Sequence, residues 1–335
     1  MTATGRWMWA GSRLNYFVVM PLPDQEVIEL LAYEAFIRRA SEVGLPFMLK
    51  GSYVTRQYYA DPTLRTPHDL DWVYLLPISS AEEAERLFTE WTTLATELPA
   101  HDGVRFRSFR ENAFWRILDY AMADDFPTTS TDLVCWVYGQ EFDRFSLDIS
   151  FNLPLGVPSE PLWYQPGLGE PFLVPHATPL ALQVAWKLHQ TLVRPRFKDL
   201  FDLLHLLKHP GFTPAVRQQT LAALASECTA DGTDLGRLRW LLAGNLAPLF
   251  AATRVADAWL AWRLGKPDGY GWRPPAYEWA TTITNPDLLP LSLDTFQHQL
   301  QEAFRLAGFE ADEAQLPPAP PGPQQGFWAG LRGLF

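Results

Sequence analysis

The hydrophobic period of the chain changes once, and a run of proline and glycine marks the change. Before residues 154–175 the apolar segments are short, aromatic or β-branched and bounded by turn residues: LPFMLKGS, DLDWVYLL, VRFRSFREN, TDLVCWVYG and FSLDISFNL. Two helical patterns interrupt them, DQEVIELLAYEAFIRRASEV at 24–43 and SAEEAERLFTEWTTLATEL at 80–98. After the run, apolar residues recur at helical spacing in PLALQVAWKLHQTLV, RFKDLFDLLHLLKH, TPAVRQQTLAALASE, LGRLRWLLAG, APLFAATRVADAWLAWRL and SLDTFQHQLQEAFRLAG. The pattern predicts an α+β protein: a mixed sheet of about five strands with helices in residues 1–155, then a helical domain over 176–310. Residues 154–175 are read as the connection between them. Residues 311–335, with QLPPAPPGPQQ, form a proline-rich tail that cannot bury a core.

Charge and cysteine content exclude several classes. A formal net charge of −11 over 335 residues argues against a surface that coats nucleic acid or anionic membrane, so any nucleic-acid contact must be local. Cys135 and Cys228 are too few for a disulfide framework or a four-thiolate zinc site, and their apolar neighbours predict buried thiols. The N-terminal residues lack the apolar run of a signal peptide. The most apolar later stretch is interrupted by Asn245, Pro248, Arg254 and Asp257. A cytoplasmic protein with no membrane partner is expected.

The chemistry concentrates in three places. Gly51-Ser52 follows a predicted strand and suits close backbone approach to phosphate oxygens at a helix N-terminus. Asp69 and Asp71, two apart on the next strand, project to one face while Leu70 and Trp72 face the opposite layer. Asp148 interrupts the apolar strand FSLDISFN, where an acid needs a partner. If its strand lies beside that of Asp69 and Asp71, the three carboxylates can hold two Mg²⁺ ions about 3.5–4 Å apart, the arrangement that clamps attacking and leaving oxygens in phosphoryl or nucleotidyl transfer. Singly, each piece has a plainer explanation: a common turn, a capped strand edge, an acid paired with Arg144. In this order they favour a site.

The segment LKGSYVTRQYYADPTLRTPHDLDWVYL resembles the G-S-x(n)-R-x(3)-D-x-D signature of DNA polymerase β-like nucleotidyltransferases, and specifically the AbiEii/AbiGii toxin family. LALQVAWKLHQTLVRPRFKDLFDLLHLL is similar to that family's helical motif, Lys-Leu on one helix and Arg/Lys-Asp-x-x-Asp on the next. The resemblance spans about residues 26–208. It implies the polymerase β-like fold and transfer of a nucleoside monophosphate from an NTP, with Mg²⁺ held by Asp69, Asp71 and Asp148. It further implies that Gly51, Ser52, Arg65, Lys187 and Asp202 serve the nucleotide, and that Asp199, with Asp202, orients Lys187 or the incoming nucleophile. A toxin of a toxin–antitoxin or phage abortive-infection pair follows, with tRNA or another RNA as acceptor and a cognate antitoxin as partner.

The residues themselves support a basic element there. Residues 171–198 contain no Asp or Glu but do contain Lys187, Arg194, Arg196 and Lys198, with Pro195 breaking the helical pattern between the two lysines. Asp199 and Asp202, three apart on one helix face, also suit simple helix-dipole partners. The chain departs from the family in two respects. Sixteen residues separate Ser52 from Asp69, so Tyr58–Leu64 reads as an insertion over the active site, and Pro67 stands where the family often has Ser. His205 and His209 read as an ordinary helix face rather than a zinc pair. Arg105 and Arg107 share a strand face, either as an acceptor-side RNA surface or as solvated edge charges, with Arg110 just beyond. Two other functions remain open: a catalytically silent nucleotide-binding interaction module, and a metal-dependent phosphohydrolase in which water replaces the acceptor.

Overall fold

Alternation along residues 47–50 and 70–74 sends side chains to two different cores, and this places everything else. The computed structural model describes residues 25–67, 69–123, 127–193, 196–230, 232–233, 241–244, 255–264 and 289–309. Helix α1 (Gln25–Val43) stops at Gly44, whose φ of 68° is left-handed, and leads into β1 (Phe47–Lys50). A single helical turn, α2 (Ser52–Thr55), and two 3-10 turns (Arg56–Tyr58 and Pro62–Leu64) fill the interval to β2 (Leu70–Tyr74). Helix α3 (Ala81–Glu97) starts where the Ser80 hydroxyl accepts from the Glu83 N–H. Then come β3 (Val104–Phe106), the short α4 (Leu118–Ala121), and the long hairpin β4 (Thr128–Val137) and β5 (Gln140–Ser150).

Residues 154–175 do more than connect. They lead into β6 (Glu160–Tyr164) and supply most of β7 (Phe172–Ala177), so the sheet has seven strands rather than five, in the order β3-β4-β5-β2-β1-β7-β6. Pro161 and Pro175 disguise these strands. Proline is tolerated at a sheet edge, where its missing N–H faces no partner. Strand β6 is such an edge, and β7 meets β1 only at Leu49 and Ala177, beyond Pro175. The pairs β2–β5 and β1–β7 are parallel; the other neighbours are antiparallel.

On one face, Phe47, Leu49, Trp72, Leu147 and Ile149 pack with Phe36 of α1 and Phe88 and Trp91 of α3. Phe47 stacks on Trp91 with centroids 4.0 Å apart. On the other face, Met48 and Val73 join a second core built from the helical half. That core is formed by α5 (Leu180–Val193), α6 (Phe197–Leu206), α7 (Pro214–Ala230), α8 (Val255–Leu264) and α9 (Leu293–Ala307). Cys135 and Cys228 are both buried, as their neighbours predict. Among the described residues no helix is long and apolar enough to cross a membrane. Arg194, Pro195, most of LGRLRWLLAG and the proline-rich tail lie outside the described residues, as does the side chain of Arg144.

Candidate active site

Strand β1 delivers Lys50, Gly51 and Ser52 to the end of the sheet where β2 begins. Gly51 has φ 74° and ψ −149°, and a Cβ there would lie 2.4 Å from Asp71 Oδ2. Only glycine fits both the dihedral angles and the approach. The turn is braced from below, since the N–H and Oγ1 of Thr55 each donate to the Gly51 carbonyl at 3.0 Å. Thr55 Oγ1 also lies 3.0 Å from Gln183 Oε1 on α5, tying this turn to the helical half.

Two of the acids face each other as the alternation requires. Asp71 pairs in register with Asp148 across the parallel β2–β5 ladder, and Asp148 pairs with Ser130 on β4. Since Leu147 and Ile149 face the α1/α3 core, Asp148 faces the opposite side, the side of Val73 and Asp71. Asp69, just before β2, is exposed, whereas Asp71 and Asp148 are half-buried. The Ser52 hydroxyl donates to Asp69 Oδ1 at 3.2 Å, and Lys50 Nζ lies 3.4 Å from Asp71 Oδ1.

Their electrostatics differ accordingly. Loss of water in the crowded cleft works to raise Asp69, but the charges of Lys198 and Arg65, with the Ser52 hydroxyl, hold it below the ordinary carboxylate value. Burial raises Asp71, with Lys50 opposing and Asp69 adding. Asp148 is pushed up to about 6 by burial and by the charges of Asp71 and Asp69. Such a set has more negative charge than Lys50 neutralises, and oxygen-only donors of this kind suit a hard divalent cation such as Mg²⁺. The side chains do not yet converge: among the described residues no three acid, imidazole or thiol groups are gathered as a metal would require. Asp69 is held by Ser52 and Asp71 by Lys50 instead.

A second cluster sits between α5 and α6. Lys187 Nζ is 3.1 Å from Asp199 Oδ1 and 2.6 Å from Asp202 Oδ2. Arg65 grips Asp202 with two nitrogens, Nε to Oδ1 at 2.9 Å and Nη2 to Oδ2 at 3.3 Å, and Tyr59 donates its hydroxyl to Oδ1 at 2.7 Å. Arg196 pairs with the other oxygen of Asp199. Burial opposes the charge on each member, but the partners win. Asp202 and Asp199 are held below the ordinary value by Arg65, Lys187 and Arg196, and Lys187 above it by the two aspartates.

The sequence-predicted residues therefore fall into two groups: Gly51, Ser52, Asp69, Asp71 and Asp148 at the sheet, and Arg65, Lys187, Asp199 and Asp202 in the buried cluster. Arg65 and Asp202, expected to touch the nucleotide, are buried and spent on each other, an arrangement suited to positioning. The insertion Tyr58–Leu64 packs on α6, where the Tyr59 ring stacks on His205 at 4.1 Å. His209 Nδ1 accepts from the Gly211 N–H. Sequence reasoning missed Lys50, Tyr59 and the Thr55–Gln183 bridge. Lys50 had a signal: it alternates with Met48 toward the face of the acids.

A family model described as "Nucleotidyl transferase AbiEii toxin, Type IV TA system" matches residues 36–316. Among solved structures, a crystal structure from H. pylori described as a "putative nucleotidyltransferase" is similar over 88% of this chain and 98% of its own. The identity is 15% and the TM-score 0.46. No curated protein matches.

Proposed function

The chain belongs to the AbiEii nucleotidyl transferase toxin family of type IV toxin–antitoxin systems, and from that premise we propose that it moves a nucleoside monophosphate from an NTP to a hydroxyl of tRNA in the cytoplasm. The observation that carries the reading is the register pair Asp71–Asp148, acids from two remote segments on one sheet face beside the Gly51 turn.

Asp69, Asp71 and Asp148 would hold Mg²⁺, two ions in this reading, which when bound offsets triphosphate charge and acidifies the attacking hydroxyl. The backbone at Gly51 and the Ser52 hydroxyl cradle the triphosphate, and Gly51 admits it without a side chain. Lys187, kept charged by Asp199 and Asp202, supplies positive potential from the helical side, as does Lys198, whose charge already acts on Asp69 and Asp71. Asp148 helps to take the proton of the attacking hydroxyl. Arg65 fixes Asp202 and through it Lys187. A cognate antitoxin is the expected protein partner of a chain in this family.

The test is transfer of label from each α-labelled NTP to total tRNA in the presence of Mg²⁺, for the wild type and for Asp69→Asn/Asp71→Asn. Label on tRNA that vanishes in the variant is expected. Tight NTP binding without turnover would point to a silent nucleotide-binding module, and NTP consumption without a labelled acceptor to a phosphohydrolase.

A further inference from the structure

Strand β4 carries the face of the three acids outward, away from the helical half. Its buried residues Leu133, Cys135 and Val137 belong to the α1/α3 core. The alternate residues Ser130, Asp132, Val134 and Trp136 lie on the opposite side, and none of them is buried. Ser130 is the register partner of Asp148, so this row begins at the acids. Six residues on, at about 3.3 Å per residue, Trp136 lies about 20 Å from that start.

Trp136 is flanked by cations. Arg105, its register partner on β3, places its guanidinium 3.8 Å from the Trp136 ring centroid, and that of Arg107 is 5.9 Å away. Both arginines are exposed, and neither has a carboxylate partner among the described residues. The acids near this row are Asp132, already paired with Arg116, Glu141, the β5 register partner of Trp136, and the exposed Asp143 two residues further along β5. Two exposed guanidiniums nonetheless stand within 6 Å of the indole, which sets two cations and an aromatic face together on a chain of net charge −11. An aromatic face with flanking arginines takes an unpaired base with its phosphates, because every base offers a π-face and every linkage an anion.

We propose that the face of β4 from Ser130 to Trp136 is the track of the acceptor: an unpaired nucleic-acid end whose terminal hydroxyl lies at the acids. A base a few nucleotides back stacks at Trp136, and its phosphates meet Arg105 and Arg107. The proposal rests on the nucleotidyl-transfer reading and adds to it where the acceptor lies and that its end is single-stranded. A fully paired end has no free base for Trp136, so the track selects unpaired ends.

The experiment measures binding of a short fluorescein-labelled unpaired RNA to the full chain by anisotropy across a salt series, in wild type, Trp136→Ala, Trp136→Phe and Arg105→Gln/Arg107→Gln. Trp136→Ala loses about tenfold or more in affinity and Trp136→Phe recovers most of it. The double arginine variant lowers the slope of log affinity against log salt by about 1.4, the value for two phosphate contacts on a single strand. All variants bind Mg²⁺–NTP as the wild type does, which separates this proposal from the catalytic reading. Unchanged RNA affinity in folded Trp136→Ala, or equal binding of a blunt duplex, overturns the track and leaves the spot to a protein partner.

Discussion

Asp71 and Asp148 stand opposite each other as register partners on two parallel strands separated by 65 residues of chain, with Lys50 as the cation paired to Asp71. Burial raises both half-buried carboxylates, Asp69 adds to Asp71 and Asp71 to Asp148, and a divalent cation relieves what Lys50 does not. Mg²⁺ should therefore raise the melting temperature of the wild type by binding the native state. In Asp148→Asn the rise shrinks sharply, transfer is lost, and the metal-free protein melts at the wild-type temperature or above it. A wild-type melt that ignores Mg²⁺ would remove the cation from the reading.

Gly51→Ala meets two obstacles, a φ of 74° and a Cβ placed 2.4 Å from Asp71 Oδ2. The backbone strain costs about 1–3 kcal/mol. Asp71 must also move, and a displacement near 1 Å at a reacting centre costs about 100-fold in rate. Thermal melting and the transfer assay measure the two effects separately; wild-type activity in the alanine variant would show that the close approach is dispensable.

Asp202→Asn leaves Lys187 and Arg65 facing a neutral amide in a fully buried setting. Removing one partner of a buried ion pair costs about 3–5 kcal/mol, read from urea unfolding at neutral pH. The folded-state value of Asp202 lies below its unfolded value, so its stabilisation is present above about pH 4 and fades as the pH falls below that. The stability gap between wild type and variant is accordingly flat from pH 7 to about 4 and narrows on further acidification.

Thr55→Val removes the bridge from the Gly51 turn to α5 and strands Gln183, which is buried and whose Nε2 already has no partner among the described residues. Leaving such an amide unpaired costs about 1–3 kcal/mol. Replacing both partners, Thr55→Val/Gln183→Met, recovers part of the loss, and a double-mutant cycle in urea measures the coupling. Additive losses would mean that the two side chains do not act together.

What the sequence determined by itself was local. The alternation of DLDWVY and FSLDISF decided that Asp71 faces away from Leu70 and Trp72 and that Asp148 faces away from Leu147 and Ile149. Gly51-Ser52 marked the sharp turn, and helical spacing marked α1, α3 and the helical half. These depend on the geometry of a few consecutive residues, which side-chain type records directly. Tertiary structure decided the rest. It set β5 beside β2 in the register that faces Asp148 with Asp71, and it brought Lys50 to Asp71 across the β1–β2 ladder. It also made Asp202 the meeting point of Lys187, Arg65 and Tyr59. Strands β6 and β7 were hidden because their prolines are acceptable only at positions that the sheet order creates. Pairing between remote segments is selected by packing and charge summed over the whole fold, which no short stretch of chain encodes.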